Sequence, residues 1–294
     1  MRRSFISAAA AFTVLLGALS GCGKADDSSS DSSKPAAKSD VSFAAGTTME
    51  KLHSQGSIKI GVKYDQPGLA YKDPTKDKIE GFDAEIGRMI AHGLGLKEDQ
   101  IEFIETVTKN RQPFIEQGAV DIVVASYSIT PDRLQVIGMV GPYYITGQQL
   151  LVRKDDKDIK GPDDVKGKKV CSASGSTSIK VIEEQYGAVP AAMSTYTECI
   201  QALLNEQVDA LTTDGSILMG YAAQDPDKLK VVGEPFSEEK YGIGYQKGDL
   251  EFCKFMNETL EEAYKDGTWE KAFEETLGKS GSKTPEPPKL NECA

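Results

Sequence analysis

The feature that most constrains this chain is an alternation of strand-like and helix-like segments that occurs once and then restarts. Ser57-Ile58-Lys59-Ile60-Gly61-Val62 alternates as a strand does, and Gly81-Phe82-Asp83 opens a helix with Phe82, Ile86, Ile90 and Leu94 on one face. Asp83 stands where a carboxylate favours a helix N-terminus. Ile101 to Ile104 reads as a strand and Arg111 to Glu116 as a helix. Asp121-Ile122-Val123-Val124-Ala125 is the continuous apolar run of a buried parallel strand. The order then repeats: strand at Lys169-Val170-Cys171, helix from Thr177 to Glu184, strand from Met193 to Tyr196, helix from Thr197 to Asn205, strand from Asp209 to Thr212. Two βαβαβ units predict an α/β fold of two lobes, each with helices on a mostly parallel sheet and a cleft between them. Gln148 to Arg153 and Val231 to Tyr245 are the predicted crossovers. Phe252 to Tyr264 and Thr268 to Leu277 are two further helices expected to return to the first lobe. Residues 47–147 plus 241–294 then form lobe 1, and 148–240 form lobe 2.

The N-terminus points to a compartment. Arg2 and Arg3 precede an apolar run from Ile6 to Leu19, too short for a membrane span of roughly 20 residues. Leu19-Ser20-Gly21-Cys22 resembles a bacterial lipobox, which implies removal of residues 1–21 as a signal peptide and acylation of Cys22. Diacylglycerol plus an N-acyl chain such as palmitate would anchor the protein stably to the outer face of the cell membrane. Residues 22–46 carry almost no large apolar side chain and read as a flexible tether.

A net charge of −11 from 45 acidic and 34 basic residues argues against nucleic acid as a partner. Of the 5 cysteines, Cys22 is claimed by the lipobox. The remaining four allow three pairings in an oxidising compartment. Cys171–Cys199 with Cys253–Cys293 is preferred, because each bridge then joins neighbours within one predicted lobe, contributing about 3–4 kcal/mol. No C-x-x-C pair suggests a metal, and no cofactor motif is present. The 2 histidines, His53 and His92, lie in no nucleophile or metal-ligand setting, and G-x-S-x-G, H-E-x-x-H and the phosphate-binding loop are absent. An enzyme is therefore not expected.

Polar clusters at the strand ends are more informative, because ligands of open α/β sheets bind beyond the carboxyl ends of the strands. The run ending at Ala125 continues as Ser126-Tyr127-Ser128-Ile129-Thr130-Pro131-Asp132-Arg133. Its counterpart leads to Ser174-Gly175-Ser176-Thr177-Ser178 and a helix N-terminus, a setting for an anion. The third strand of the second unit runs into Asp214. An arginine and backbone amides for a carboxylate, with an aspartate for an ammonium, match an α-amino acid.

In order along the chain, Gly81-Phe82-Asp83-Ala84-Glu85-Ile86, Asn110-Arg111-Gln112-Pro113-Phe114, Ser128-Ile129-Thr130-Pro131-Asp132-Arg133, Ser174-Gly175-Ser176-Thr177, Thr213-Asp214 and Tyr241-Gly242-Ile243-Gly244 resemble the polar-amino-acid solute-binding proteins of ABC importers. Within these, the actinobacterial glutamate-binding lipoproteins are most similar. The resemblance implies a two-lobed, periplasmic-binding-protein-like (Venus flytrap) fold whose lobes are joined by two crossover strands. It also implies a monomer that hands its ligand to ABC permease subunits. By position, Arg133 would hold the α-carboxylate, Asp214 the α-ammonium, and Ser126, Ser128 and Thr177 would add hydrogen bonds. Arg111 would reach a side-chain carboxylate, with Lys63 as a second candidate and Tyr196 a weaker one. Gly68-Leu69 and Ala173 depart from residues common in relatives at those positions. Rival expectations are a ligand-sensing receptor or a dehydratase-like enzyme on the same scaffold.

Overall fold

In the computed structural model, residues 37–76 and 78–293 are described; the expected signal peptide, Cys22 and the expected tether up to residue 36 lie outside them. The first lobe begins with α1 (Thr48–Gln55), whose N-cap Thr47 accepts from the Glu50 amide. Next come β1 (Ile58–Val62), a small meander of β2 (Asp65–Gln66), β3 (Ala70–Lys72) and β4 (Ile79–Glu80), then α2 (Phe82–Gly93), β5 (Ile101–Glu105), α3 (Arg111–Glu116), β6 (Ile122–Val123), α4 (Pro131–Val136) and β7 (Gly138–Thr146). The second lobe holds β8 (Gln148–Arg153), β9 (Lys169–Ala173), α5 (Thr177–Glu184), β10 (Val189–Met193), α6 (Tyr196–Leu204), β11 (Ala210–Asp214), α7 (Gly215–Gln224) and β12 (Leu229–Val232). The chain returns through β13 (Glu239–Tyr245), α8 (Leu250–Lys265) and α9 (Thr268–Glu275).

The strand orders are β5-β1-β6-β13-β7 and β10-β9-β11-β8-β12. In each sheet four strands run one way and one, β13 in the first and β8 in the second, runs against them, so each mostly parallel sheet is mixed through a single reversed strand. The reversed strands are the ones that begin where the chain crosses between lobes. Gln148–Arg153, predicted as a crossover, is a full strand of the second sheet. The passage out shrinks to Gly147, and the passage back occupies 233–238. The two connections run so close that a Cβ at Gly147 would collide with the Ser237 carbonyl.

One predicted strand is displaced. Residues 193–196 do not continue as a strand, because Ser194-Thr195 already belongs to the start of α6. Thr195 Oγ1 accepts from the Glu198 amide at 3.2 Å, and the Glu198 carboxylate reaches back to the amides of Ser194 and Thr195 at 2.8 and 3.3 Å. That reciprocal cap sets the boundary.

The first lobe is filled by Phe82, Tyr143, Tyr144, Trp269 and Phe273, with ring centroids 5.4–6.1 Å apart where they meet. Trp269 Nε1 donates to the Tyr143 carbonyl at 2.9 Å, so α9 is tied to β7 by apolar and polar contacts together. Cys171 is bridged to Cys199, joining β9 to α6, and Cys253 to Cys293, joining α8 to the C-terminal tail. The tail also donates from the Asn291 amide to the Gly141 carbonyl at 2.6 Å.

Residues 37–46, expected as the end of a flexible tether, pack on the first lobe instead. The Lys38 amide donates to the His92 carbonyl at 3.1 Å, and its ammonium pairs with Glu262. Phe43 meets His53 and Phe255 edge-on at 5.8 and 5.7 Å. Phe43 and the two bonds of Lys38 together dock an otherwise polar segment. No helix of the described residues is long and apolar enough to cross a membrane. The described residues belong to one compact unit.

Candidate functional site

The strand β6 ends in a turn that defines one half of the cleft. Ser126 adopts a left-handed φ of 43°, a conformation costing a non-glycine residue about 1–3 kcal/mol unless its surroundings hold it. Here they do. Its N–H donates to Asp83 Oδ2 at 2.7 Å, its carbonyl accepts from Arg111 Nη1 at 2.8 Å, and its hydroxyl donates to Gln66 Oε1 at 2.9 Å. Asp83, read from the sequence as a helix N-terminal charge, is fully buried and also accepts from the Tyr143 hydroxyl at 2.7 Å. Burial pushes its carboxyl up to about 6, against the opposing pull of these hydrogen bonds and of Lys63 and Arg111.

Two guanidinium groups share the ring of Tyr127, Arg111 at 4.2 Å and Arg133 at 4.7 Å from its centroid. Arg111 is buried and spends Nε and Nη1 on the carbonyls of Thr108, Ala125 and Ser126. Lys63 is buried beside it, donating to Thr108 Oγ1 at 2.7 Å, and burial followed by the Arg111 charge lowers its pKa well below the usual lysine value. Arg133, partly buried, donates to the Ser128 carbonyl at 2.6 Å and across the cleft to the Gly175 carbonyl at 3.3 Å. Ser128 is buried and bridges to Tyr241 on β13.

The opposite half is anionic. Asp214, the last residue of β11, is buried, with Oδ2 accepting from the Tyr241 hydroxyl at 2.5 Å. Its Oδ1 has no hydrogen-bond partner among the described residues. Burial, and then the neighbouring Glu239 carboxylate, raise its pKa to about 7, while Tyr241, Arg111 and Arg133 pull the other way. Asp214 lies near enough to both arginines for their charges to act on its carboxyl. Thr177, first residue of α5, donates to Glu239 Oε2 at 3.2 Å. Tyr196 is buried, its hydroxyl accepting from Thr213 Oγ1 at 2.7 Å, and burial pushes its pKa up to about 12.

Of the residues singled out in the sequence, Lys63, Arg111, Ser126, Ser128 and Arg133 gather in the first lobe around the turn after β6, and Thr177, Tyr196 and Asp214 stand at element ends of the second lobe. Sequence reasoning missed Gln66 and Gln148 altogether and cited Tyr241 only as part of a motif; the acidic pair Glu238-Glu239 reads locally as a solvated face, whereas Glu239 is buried. Burial of Gln66 and Gln148 at 0 % is the signal a structure supplies and a sequence does not. Among the described residues no group of His, Cys, Asp and Glu could hold a metal ion.

The halves touch. The Asp65 carboxylate, on β2 of the first lobe, accepts from the amides of Tyr196 and Thr197 at the start of α6, at 3.0 and 3.3 Å. The Tyr221 hydroxyl on α7 donates to the Asp65 carbonyl. Alongside, Pro67 lies so close to Gly220 that a Cβ there would collide with the Pro67 carbonyl.

The model of the bacterial extracellular solute-binding proteins, family 3, matches residues 58–279, spanning both sheets and the cleft. The chain belongs to this family. It is 38 % identical over 234 residues to the glutamate-binding protein GluB of Corynebacterium efficiens, covering 76 % of this chain and 79 % of that one. To the glutamine-binding protein of Geobacillus stearothermophilus it is 37 % identical over 243 residues, covering 82 % and 92 %. Among solved structures, an ancestral arginine-binding protein bound to arginine superposes with a TM-score of 0.70 at 35 % identity, covering 75 % of this chain and 98 % of that one. The solute receptor for L-cysteine of Neisseria gonorrhoeae gives 0.76 at 26 %, covering 83 % and 99 %. This likeness agrees with the two-lobed Venus flytrap fold of the chain, whose halves are joined by two crossover connections.

Proposed function

We propose that this family member is the extracytoplasmic capture component of an ABC importer for an amino acid, with glutamate as its ligand. It is held at the membrane by lipid on Cys22 and delivers its ligand to permease subunits. The observation that carries the reading is the pairing of Arg111 and Arg133 on one tyrosine ring, opposite Asp214 with its free oxygen. Arg133 takes the α-carboxylate, with Ser126, Ser128 and Thr177 supplying hydrogen bonds, and Asp214 takes the α-ammonium. Arg111 and Lys63 face the side-chain end, where two buried cations favour a carboxylate. Tyr196 closes the wall beside Asp214.

The names of the relatives support an amino acid, and the charge of the far end favours glutamate among them. A neutral amide against Arg111 and Lys63 leaves buried charge incompletely paired, at about 1–3 kcal/mol, or roughly 5- to 150-fold in affinity. A cationic side chain such as that of arginine is repelled outright. Contacts such as Asp65 to α6 and Arg133 to Gly175 are those that closure of the lobes around a ligand would make. Calorimetry on the chain from Gly23 onward, with glutamate, glutamine, aspartate and arginine in turn, tests the reading. Glutamate is expected to bind tightest. No heat with any of the twenty amino acids ends the reading, and arginine binding tightest reverses the assignment of the far end.

A further inference from the structure

Beside the residues given roles above, two buried oxygen atoms stand together without donors. Gln148 opens β8 and Asp214 ends β11, and the antiparallel register sets them directly opposite each other. Their side chains therefore rise from one face of the sheet with Cβ atoms about 5 Å apart. Gln148 is 0 % and Asp214 4 % exposed. Gln148 Oε1 and Asp214 Oδ1 both have no hydrogen-bond partner among the described residues. Two such acceptors side by side suit a group that brings several N–H donors at once. The orientation of the Gln148 amide follows from chemistry: its other end meets Glu239 Oε1 at 2.6 Å, a contact only the NH2 can make, and the same nitrogen lies 3.4 Å from Thr177 Oγ1. Glu239 is itself fixed by donors from Thr177 and Ser237 at 3.2 and 3.3 Å.

We propose that Gln148 is a ligand-binding residue whose Oε1 accepts from the α-ammonium beside Asp214 Oδ1, and that Glu239 is the positioning residue that keeps the amide turned toward the ligand. The inference rests on the amino-acid reading of the cleft and extends it to the crossover strands. Because Gln148 heads one crossover and Glu239 the other, the pair forms where the two connections between lobes run side by side. The ammonium site is then built by the hinge as well as by the lobes. It also sets a selectivity. An ammonium meets both free oxygens, whereas an α-hydroxyl has one hydrogen and leaves one oxygen unmet.

The test compares L-glutamate with 2-hydroxyglutarate by calorimetry, on wild type, Gln148→Met and Glu239→Gln. Gln148→Met keeps the length of the side chain and removes the acceptor. It is expected to weaken L-glutamate about tenfold and 2-hydroxyglutarate less than threefold, narrowing the ratio between them. Glu239→Gln is expected to narrow the ratio less and to move the pH midpoint of glutamate binding downward. The carboxylate facing Asp214 is then gone, while Tyr241, Tyr196, Tyr144, Arg111 and Arg133 around it remain. An unchanged ratio in Gln148→Met, with wild type binding glutamate, overturns the role of Gln148 alone. An unchanged ratio in Glu239→Gln, even with a shifted midpoint, overturns the positioning role. Wild type binding neither compound overturns this inference together with the amino-acid reading. If Gln148→Met does not fold, the ratio in Glu239→Gln decides.

Discussion

The two halves of the cleft are built on opposite plans. On the cationic side, Lys63, Arg111 and Arg133 each already hold a hydrogen bond, mostly to backbone carbonyls, and Asp83 and Arg111 together fix the turn at Ser126. The exception is Gln66 Nε2, which has no partner among the described residues. On the anionic side, Asp214 Oδ1 and Gln148 Oε1 both stand without donors. The cationic half is preorganised, so a carboxylate arriving there finds donors already aimed. The anionic half carries the desolvation penalty of unmet acceptors, and an ammonium relieves it. Carboxylate binding should therefore depend on geometry, and ammonium binding on charge state.

The largest expected effect comes from breaking the preorganised side. Arg133→Ala removes a charged, hydrogen-bonding anchor, and loss of such a partner is worth about 2–5 kcal/mol, so affinity for every amino acid should fall by at least thirtyfold in calorimetry. A loss confined to acidic ligands would exchange the roles given to Arg133 and Arg111.

The contacts between halves come next. Asp65→Ala deletes the acceptor for the amides of Tyr196 and Thr197, and Gly220→Ala puts a methyl group against the Pro67 carbonyl. Both should weaken glutamate and glutamine by the same factor, about tenfold, with faster release in stopped-flow measurements. A changed ratio between the two ligands would show that these residues shape the pocket rather than hold the lobes together.

A comparable effect is expected from pH, and on the anionic side only. Asp214 must be ionised to hold an ammonium, and its pKa is raised to about 7, first by burial and then by Glu239. Affinity should be steady above that value and weaken as pH falls through it, by no more than tenfold per unit, with protons released on binding near neutrality. Affinity that rises on acidification to pH 6 would have the sign wrong.

The smallest change in affinity for glutamine, and the sharpest in selectivity, is expected from Arg111→Ala. Glutamate should lose its advantage over glutamine. Because Arg111 also ties down Thr108, Ala125 and Ser126, the melting temperature should fall as well. Retained preference for glutamate would leave Lys63 as the distal cation.

The alternating units, the seam of α2 and the strand-end polar clusters were legible in the sequence because each depends on neighbours a few residues apart. The start of α6 is legible in principle, since Thr195 and Glu198 spell a capping box, which competes with the strand reading of Met193 to Tyr196. Gln148, Glu239 and the unmet oxygen of Asp214 were not legible. Gln148 and Glu239 are 91 residues apart, and neither stands in a pattern that a strand or helix period would single out. Likewise Asp83 reads locally as a helix N-terminal charge, and only the tertiary fold shows it holding Ser126 in place. Local structure follows from local chemistry, whereas a cleft assembled at two crossovers exists only after the chain has folded back on itself.

The most direct measurement is a crystal structure of the chain with glutamate bound. The α-carboxylate is expected on Arg133, the ammonium between Asp214 Oδ1 and Gln148 Oε1, and the side-chain carboxylate toward Arg111 and Lys63. Glutamate bound in the reverse sense, or anywhere outside the space between Arg133 and Asp214, would contradict it.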